Sequence, residues 1–188
     1  MKTDWQNVHS KIQEKRKKVT FSTMQIIAFG FLGVILIGSI LLFLPISNQK
    51  PIQYLDALFV SVSAVCVTGL VTISPAAQFT VFGKIVLLGL IQIGGLGVIA
   101  CTMAVFLAIR KKITMKSRVM IQQTYNLETL SGMVRFIIRI LKGTVLVEGI
   151  GAVLFAFHFV PEYGFIKGVA YGIFHSVSAF CNAGIDVL

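Results

Sequence analysis

Two long runs without a charged residue constrain this chain more than any other feature of its sequence. They cover residues 24–47 and 85–109, and each exceeds the roughly 20 residues that a helix needs to cross a hydrocarbon core of ~30 Å. The whole chain has 13% charged and 56% hydrophobic residues and a mean hydropathy of +0.87, whereas soluble domains carry about 25% charged residues. The sequence therefore predicts an all-α integral membrane protein.

The basic residues lie mostly on one side of the predicted spans. The formal net charge is +10, and most of it comes from the segments before the first run and after the second. This positive-inside bias places the N-terminus in the cytoplasm. It also argues against a nucleic-acid partner, because no segment is long enough to form the folded basic face that such binding needs. The inner set is Lys11, Lys15, Arg16, Lys17, Lys18, Arg110, Lys111, Lys112, Lys116, Arg118, Arg135, Arg139 and Lys142, and the outer set is Lys50, Lys84 and Lys167.

The reactive residues form no pattern typical of an enzyme or a cofactor site. Cys66, Cys101 and Cys181 lie in apolar or pore-like segments without C-x-x-C spacing, so we predict no disulfide framework, redox motif or metal binding by these cysteines. No Ser–His–Asp set, acidic pair or phosphate-binding glycine loop stands in a plausible site. We therefore expect a protein that is not an enzyme and has no resident cofactor.

A short pattern occurs twice. Residues 58–70 read L-F-V-S-V-S-A-V-C-V-T-G-L, and residues 173–185 read I-F-H-S-V-S-A-F-C-N-A-G-I. Each copy belongs to an apolar segment (52–65 and 166–180) that is too short to span a membrane, which favours a buried or re-entrant helix. Each copy also follows a spanning segment and runs into a glycine, so the shared context predicts an internal repeat. The alternative is a pair of short interfacial helices with glycine C-caps.

The order of the segments predicts four regions. The first repeat is complete, with a membrane helix, a re-entrant pore helix and a second membrane helix, and the second repeat lacks its last helix. The spanning helices are expected at residues 24–44, 81–109 and 133–160, with an outer turn at Pro161–Gly164. The regions are a basic cytoplasmic arm at 1–22, the first repeat at 23–109, a cytoplasmic linker at 110–132 with helical content around 120–130, and the second repeat at 133–188, truncated after its strip.

The strips after the two short helices predict a pathway for cations. Extended backbone that ends in glycine can turn consecutive carbonyl oxygens toward one axis, where they replace the water around a dehydrated cation. A helix that ends beside the strip directs its negative C-terminal end toward the same path. Among the side chains, those of Thr68 and Asn182 are the better candidates to line this path. The candidate filter residues are Val67, Thr68, Gly69, Leu70, Asn182, Ala183, Gly184 and Ile185.

Several nearby residues are candidates for supporting or gating roles. Ser61, Ser63, Ser176 and Ser178 are expected to hydrogen bond to neighbouring backbone and hold the strips. His175 replaces Val60 of the first copy and is either a packing histidine behind the filter or a pH sensor. Gly94, Gly95 and Gly97 form either a tight helix–helix contact or a gating hinge. Glu148 lies in the middle of a span, where a carboxylate needs a structural partner, acts in gating, or is protonated in place.

Several motifs together resemble the membrane subunit of the Ktr/Trk/HKT potassium transporter superfamily. These are Val67-Thr68-Gly69-Leu70, Phe180-Cys181-Asn182-Ala183-Gly184, Gln92-Ile93-Gly94-Gly95-Leu96-Gly97 and Gln78-Phe79-Thr80-Val81-Phe82-Gly83. Because no additional spans precede Met24, the chain is more similar to the bacterial Ktr type B subunit than to the longer Trk type H subunit.

The resemblance implies a potassium uptake subunit in the bacterial plasma membrane with four membrane–pore–membrane repeats around one pore. Gly69 and Gly184 would be the first two filter glycines, and potassium would bind to backbone carbonyls of Thr68, Gly69, Ala183 and Gly184. It also implies a homodimer on a cytoplasmic ring of nucleotide-binding regulatory subunits, with transport driven by the ion gradient and membrane potential.

The chain departs from this family pattern because it holds one repeat and most of a second. We expect it to be a stretch of a longer protein; the alternative is that two chains complete one pore. Three functions remain open from the residues alone: a potassium translocation subunit, a carrier for another monovalent cation such as sodium or ammonium, and a non-conducting membrane scaffold.

Overall fold

A computed structural model of the chain describes residues 23–97, 100–101 and 133–188. Over these residues the chain forms six α-helices and one turn of 3-10 helix (Pro45–Ser47), and no β-strand. This confirms the all-helical prediction. The predicted cytoplasmic arm and linker lie outside the described residues. The helices are α1 (Thr23–Phe43), α2 (Tyr54–Val65), α3 (Pro75–Gln78), α4 (Val81–Leu96), α5 (Met133–Tyr163) and α6 (Phe165–Phe180).

Apolar composition and a polar cap define α1. The helix contains no charged residue and ends just before Pro45, which cannot donate a helical hydrogen bond. The amide of Asn48 then donates to the carbonyl oxygens of Leu42 (2.6 Å) and Leu44 (2.9 Å), groups that a helix end otherwise leaves without partners. The helix thus stops close to the position predicted for the end of the first span.

The long helices expose apolar side chains in a way that suits a lipid environment. Among the described residues, the segment Arg135–Tyr163 of α5 is long and apolar enough to cross a membrane, and the apolar segments Ile27–Phe43, Tyr54–Val65 and Val81–Leu96 are shorter. Many large apolar side chains of α1 and α5 stand on the surface, as expected where lipid replaces water. They include Phe29, Leu32, Leu36, Ile37, Ile40, Val145, Leu146, Ile150, Leu154 and Phe157.

Helix α4 is shorter than the span predicted at residues 81–109. It ends at Leu96, and Gly97 adopts φ +83° and ψ 145°, a left-handed conformation that only glycine takes without strain. Helical hydrogen bonding resumes where the Cys101 N–H donates to the Gly97 carbonyl oxygen at 3.2 Å. The prediction of one uninterrupted helix is therefore wrong at Gly97, and residues 102–109 lie outside the described part of the chain.

Helix α5 extends beyond its predicted end. The predicted turn at Pro161–Gly164 is wrong for its first three residues, which are helical. The Gly164 N–H donates to the Val160 carbonyl oxygen (3.0 Å), so helical bonding passes Pro161 and only Gly164, at φ +82°, changes the chain direction. Gly168 on α6 has no Cβ, and this lets α6 pack directly on the backbone of Val160.

The core lies around α4, between the two short helices. Helix α2 packs against α1 and α4, and α6 packs against α5 and α4. Because both short helices contact one helix, the segments that follow them are held near each other. The buried cluster includes Leu42, Ala57, Val60, Ala64, Val65, Phe79, Leu87, Leu90, Ile91, Phe174, Val177, Cys181, Ala183, Ile185 and Val187.

The connection after α1 pairs with the start of α4. The Thr80 N–H donates to the Ser47 carbonyl oxygen (3.0 Å), and the Gln49 N–H donates to the Gln78 carbonyl oxygen (2.8 Å). Thr80 also caps α4, since its hydroxyl oxygen accepts from the Gly83 N–H (3.3 Å). These bonds hold α1 and α4 together at the end of the molecule where α2 begins.

Candidate functional site

The two strips leave their helices with the same backbone conformation. Cys66 and Cys181 cap α2 and α6. The next residues have positive φ, 58° at Val67 and 59° at Asn182, and the glycines two positions later have 73° at Gly69 and 65° at Gly184. Positive φ is a genuine outlier for a β-branched valine, so the matched values are a specific local geometry. The sequence repeat is therefore also a repeat of local backbone structure.

Equivalent hydrogen bonds support the two strips. The Thr68 N–H donates to the Ser63 carbonyl oxygen (3.0 Å), and the Ala183 N–H donates to the Ser178 carbonyl oxygen (2.8 Å). The Ser63 hydroxyl oxygen accepts from the Thr68 hydroxyl (2.9 Å). The Ser178 hydroxyl oxygen accepts from the Ile185 N–H (3.1 Å) and donates to the carbonyl oxygen of that residue (2.9 Å). Ser63 and Ser178 thus contact the strips, as expected.

The hydroxyl groups of the other two predicted serines donate to helices and not to the strips. The Ser61 hydroxyl donates to the Ile35 carbonyl oxygen of α1 (2.8 Å), and the Ser176 hydroxyl donates to the Glu148 carbonyl oxygen of α5 (2.6 Å). Both bonds join a short helix to the long helix before it in the chain. The expectation that all four serines hold the strips therefore needs correction, because two of them face the preceding helix.

The fold brings the strips into contact. A Cβ on Gly69 would overlap the Ala183 carbonyl oxygen and lie 3.7 Å from the Gly184 Cα. Thr68, Leu70, Asn182 and Gly184 are exposed. Within the described residues, no hydrogen bond ends on the carbonyl oxygens of Thr68, Gly69, Ala183 or Gly184. The site therefore combines two closely apposed strips with carbonyl oxygens that are available to accept a hydrogen bond or to coordinate a cation.

The glycines of α4 have different surroundings. A Cβ on Gly94 would overlap the Val65 carbonyl oxygen at the end of α2, and a Cβ on Gly95 would overlap the side chain of Cys181 at the end of α6. Gly97 has no such neighbour within 4 Å and interrupts the helix. Gly94 and Gly95 are therefore positions of close packing. The C-terminal end of α2 lies against α4 at Gly94, and the C-terminal end of α6 lies against α4 at Gly95. A gating role for this segment stays a prediction.

Glu148 has an uncharged partner. The Gln92 side-chain amide donates to a Glu148 carboxyl oxygen at 2.9 Å, which ties α4 to α5 at the level where the Ser176 bond ties α6 to α5. This contact fits the first of the three alternatives for Glu148, a carboxylate with a structural hydrogen-bond partner. A gating role for Glu148 stays a prediction.

His175 joins α6 to the segment after the second strip. Its Nδ1 lies 2.9 Å from the Tyr171 carbonyl oxygen and its Nε2 lies 3.0 Å from a carboxyl oxygen of Asp186. The pKa of Asp186 is lowered from its ordinary value: partial burial raises it, but hydrogen bonds from the backbone of Leu188 and from His175 outweigh that effect. The sequence analysis missed Asp186, although its position two residues after Gly184 was a signal.

Lys84 is a second contact that the sequence analysis missed. Its ammonium donates to the Val187 carbonyl oxygen (3.2 Å) and stands 5.4 Å from the centre of the Tyr171 ring. A residue of the first predicted repeat thereby holds the end of the second strip. The sequence analysis considered Lys84 only as one of the basic residues on the outer side of the membrane.

The cysteines are free thiols, with Cys66 exposed, Cys101 partly buried and Cys181 buried. Within the described part of the chain, no three or more His, Cys, Asp or Glu side chains are grouped so that they could hold a metal ion. The two strips themselves, residues 67–70 and 182–185, contain no charged side chain.

A known protein family matches nearly the whole chain. Residues 5–188 match the model of the TrkH family, described as a cation transport protein. The chain belongs to the TrkH family. This confirms the resemblance to the Ktr/Trk/HKT superfamily, and the family is one of transporters.

Three relatives illustrate the similarity to known proteins. The chain is 42% identical over 179 residues to the potassium/sodium uptake protein NtpJ of Enterococcus hirae, covering 94% of this chain and 40% of the relative. It is 40% identical over 171 residues to the Ktr system potassium uptake protein B of Bacillus subtilis, covering 91% and 38%. It is 35% identical over 170 residues to the Ktr protein B of Vibrio alginolyticus, covering 90% and 37%. The chain thus spans about 40% of the length of these relatives.

Proposed function

We propose that this chain forms part of the pore of a potassium uptake transporter, with its two strips as two segments of the selectivity filter. The observation that carries the proposal is the contact between the strips at Gly69 and Ala183. Family membership and the printed names of the relatives support cation uptake as the activity. The transported ion is the ligand, and no resident cofactor is proposed.

The chemistry of the proposed filter rests on the backbone. Unpaired carbonyl groups at membrane depth are costly unless protein, water or an ion satisfies them. The carbonyl oxygens of Thr68, Gly69, Ala183 and Gly184 are proposed to coordinate potassium in place of its hydration shell. Helices α2 and α6 end immediately before the strips, and their negative C-terminal ends favour a cation there. Val67, Leu70, Asn182 and Ile185 complete the proposed filter segments.

We assign the described helices to one complete membrane–pore–membrane repeat and to a second repeat that lacks its last membrane helix. In the first, at residues 23–109, α1 and α4 are the proposed membrane helices and α2 is the pore helix, with Gly97 as a break in the second membrane helix. In the second, at residues 133–188, α5 is the membrane helix and α6 the pore helix. Residues 1–22 and 110–132 are the proposed cytoplasmic arm and linker.

Assembly and location follow from the resemblance to the Ktr systems. We propose a multi-pass protein of the bacterial plasma membrane with a cytoplasmic N-terminus. It would act as a homodimer on a cytoplasmic ring of nucleotide-binding subunits. The relatives named as Ktr system proteins support this proposal.

Transport of sodium alongside potassium is the second candidate function. It is favoured by the name of the Enterococcus hirae relative, a potassium/sodium uptake protein at 42% identity. A filter of carbonyl oxygens discriminates between these ions through its size and the field of its dipoles. The relative uptake of the two ions therefore decides between the candidates.

Uptake in cells tests the proposed function. The complete gene product that contains this chain is expressed in bacteria that lack their own potassium uptake. Rubidium uptake is measured alone and in the presence of excess sodium or excess potassium. We expect uptake well above the empty-vector control, resistant to sodium competition, and abolished or made unselective by Gly184→Asp at an unchanged amount of protein in the membrane. Equal inhibition by sodium and potassium would favour the second candidate, and uptake at the vector level with normal assembly would favour a scaffold.

A further inference from the structure

A surface groove lies between α4 and α6. Its volume is about 490 Å³, within the range of ~300–1,000 Å³ that is typical of small-molecule sites in proteins. The buried rings of Phe79 and Phe174 line it, together with apolar side chains of the two helices. These side chains are Val81, Ile85, Leu88, Ile166, Ala170 and Ile173. The walls of the groove therefore suit an apolar ligand.

The groove also carries positive charge near the N-terminal ends of both helices, on the predicted outer side of the membrane. Lys84 of α4 and Lys167 of α6 line it, and the helix N-termini add positive partial charge. None of the described residues that line the groove is acidic. The carboxylate of Asp186, which precedes Val187 of the groove, lies 3.0 Å from Nε2 of His175. The charge of the groove is therefore complementary to an anion.

Both lysines have donors available for such an anion. The Lys84 ammonium donates to the Val187 carbonyl oxygen (3.2 Å) and stands 5.4 Å from the centre of the Tyr171 ring. Because an ammonium has three N–H donors, Lys84 can bind a further acceptor. Lys167 is exposed, and its ammonium makes no hydrogen bond or ion pair with the described residues. The two walls thus each offer donors to one anionic group.

Apolar walls beside two ammonium groups match the chemistry of a lipid with an anionic headgroup. Ile85 and Ile166 are 62% and 84% exposed, so the groove opens on a surface that suits lipid. Lysine side chains pack their stems along apolar surface while the charged end stays in a polar layer. Basic pockets between membrane helices are also typical binding places for anionic lipid headgroups. A neutral lipid would leave the ammonium groups unused, and a free anion would leave the apolar walls uncovered.

We propose that this groove binds a phospholipid with an anionic headgroup, with one acyl chain along the apolar walls and the phosphate at Lys84 and Lys167. The inference goes beyond the proposed function, because it rests on the membrane location of the transporter family and not on the filter. The Lys84 ammonium would then bind both the lipid phosphate and the segment after the second strip.

Lipid binding to the complete gene product tests the role of the two lysines. The purified protein in detergent is titrated with phosphatidylglycerol or phosphatidylcholine, and native mass spectrometry measures the bound lipid. We expect a site that prefers phosphatidylglycerol. Lys84→Gln and Lys167→Gln should each weaken phosphatidylglycerol binding by about fivefold, the contribution typical of one lysine beside anionic lipid. Lys167→Arg should keep the natural affinity, as should Lys50→Gln, which changes an exposed lysine outside the groove.

A second substitution tests the apolar walls. Ala170 is exposed and lines the groove, so in Ala170→Trp the indole takes the space of the acyl chain while both lysines remain. We expect this variant to lose the phosphatidylglycerol site and to keep the natural melting temperature. Ala77→Trp makes the same change at an exposed position of α3 and should bind lipid as the natural sequence does.

The two lipids and the lysine variants also show when the proposal fails. Equal affinity for phosphatidylglycerol and phosphatidylcholine overturns it. Unchanged phosphatidylglycerol binding in Lys167→Gln also overturns it, as expected if another segment of the complete protein fills the groove. Because Lys167 is exposed, this variant decides the question even if Lys84→Gln does not fold. A phosphatidylglycerol site that depends on Lys167, in a protein without rubidium uptake, supports the lipid site and counts against the proposed function alone.

Discussion

Replacing Gly69 with alanine is expected to reduce potassium uptake by at least about tenfold and to weaken discrimination against sodium. Gly69 has φ +73°, a region that costs about 1–2 kcal/mol for a residue with a Cβ. The added Cβ would also overlap the Ala183 carbonyl oxygen, which is backbone of the other strip and has little freedom to move. Each ~1.4 kcal/mol of lost transition-state stabilisation corresponds to a tenfold change in rate. Rubidium influx with sodium competition in the complete gene product measures the effect.

Two other glycines provide matched controls for Gly69→Ala. Gly184 also has positive φ, at 65°, but a Cβ there meets nothing within 4 Å, so Gly184→Ala should have the smaller effect of backbone strain alone. Gly89 is on α4 with open space around it, and Gly89→Ala should leave uptake unchanged. Natural rate and selectivity in Gly69→Ala would show that the contact between the strips has no role in transport.

Gly94→Val is expected to prevent stable packing of α4 on the end of α2. The new Cβ would overlap the Val65 carbonyl oxygen and lie 2.9 Å from the carbon of that group. Because these atoms belong to the helix backbone, a rotamer change cannot relieve the overlap. Overpacking of a core costs about 1–3 kcal/mol or more. We expect the melting temperature of the purified protein in detergent to fall by several degrees, with reduced yield from the membrane.

Gly89→Val is the matched control for this second substitution. It lies on the same helix and carries the same cost of a β-branched side chain in a helix, but no atom stands within 4 Å of its added Cβ. The two variants therefore differ mainly in contact with α2. Equal melting temperatures for Gly94→Val and Gly89→Val would contradict the close packing of α4 and α2.

The helices that sequence reasoning placed well are those with one dominant local signal. Helix α1 is a run without charge that meets Pro45, and α2 and α6 are apolar segments that run into short strips with a glycine. The end of helix α4 was harder to predict, because a glycine in a membrane helix either allows close packing or interrupts the helix. Gly94 and Gly95 allow close packing, whereas Gly97 interrupts the helix. Only the three-dimensional neighbours of each glycine distinguish these two roles.

The candidate site was predictable where the chain repeats itself. Ser63 and Ser178 occupy equivalent positions, and both contact their strips. The contact of His175 with Asp186 was not predictable in this way, because the first copy has valines at both positions. The Lys84 contact joins residues 103 positions apart, and no local pattern encodes such a distance.

The location of bound rubidium in the complete protein tests the central claim, that the two strips form part of a cation filter. Crystals grown in rubidium and measured at its absorption edge reveal the ion through its anomalous scattering. The claim predicts an anomalous peak in direct contact with backbone carbonyl oxygens of both strips, among those of Thr68, Gly69, Ala183 and Gly184. Anomalous peaks elsewhere in the molecule with none at these oxygens would contradict it.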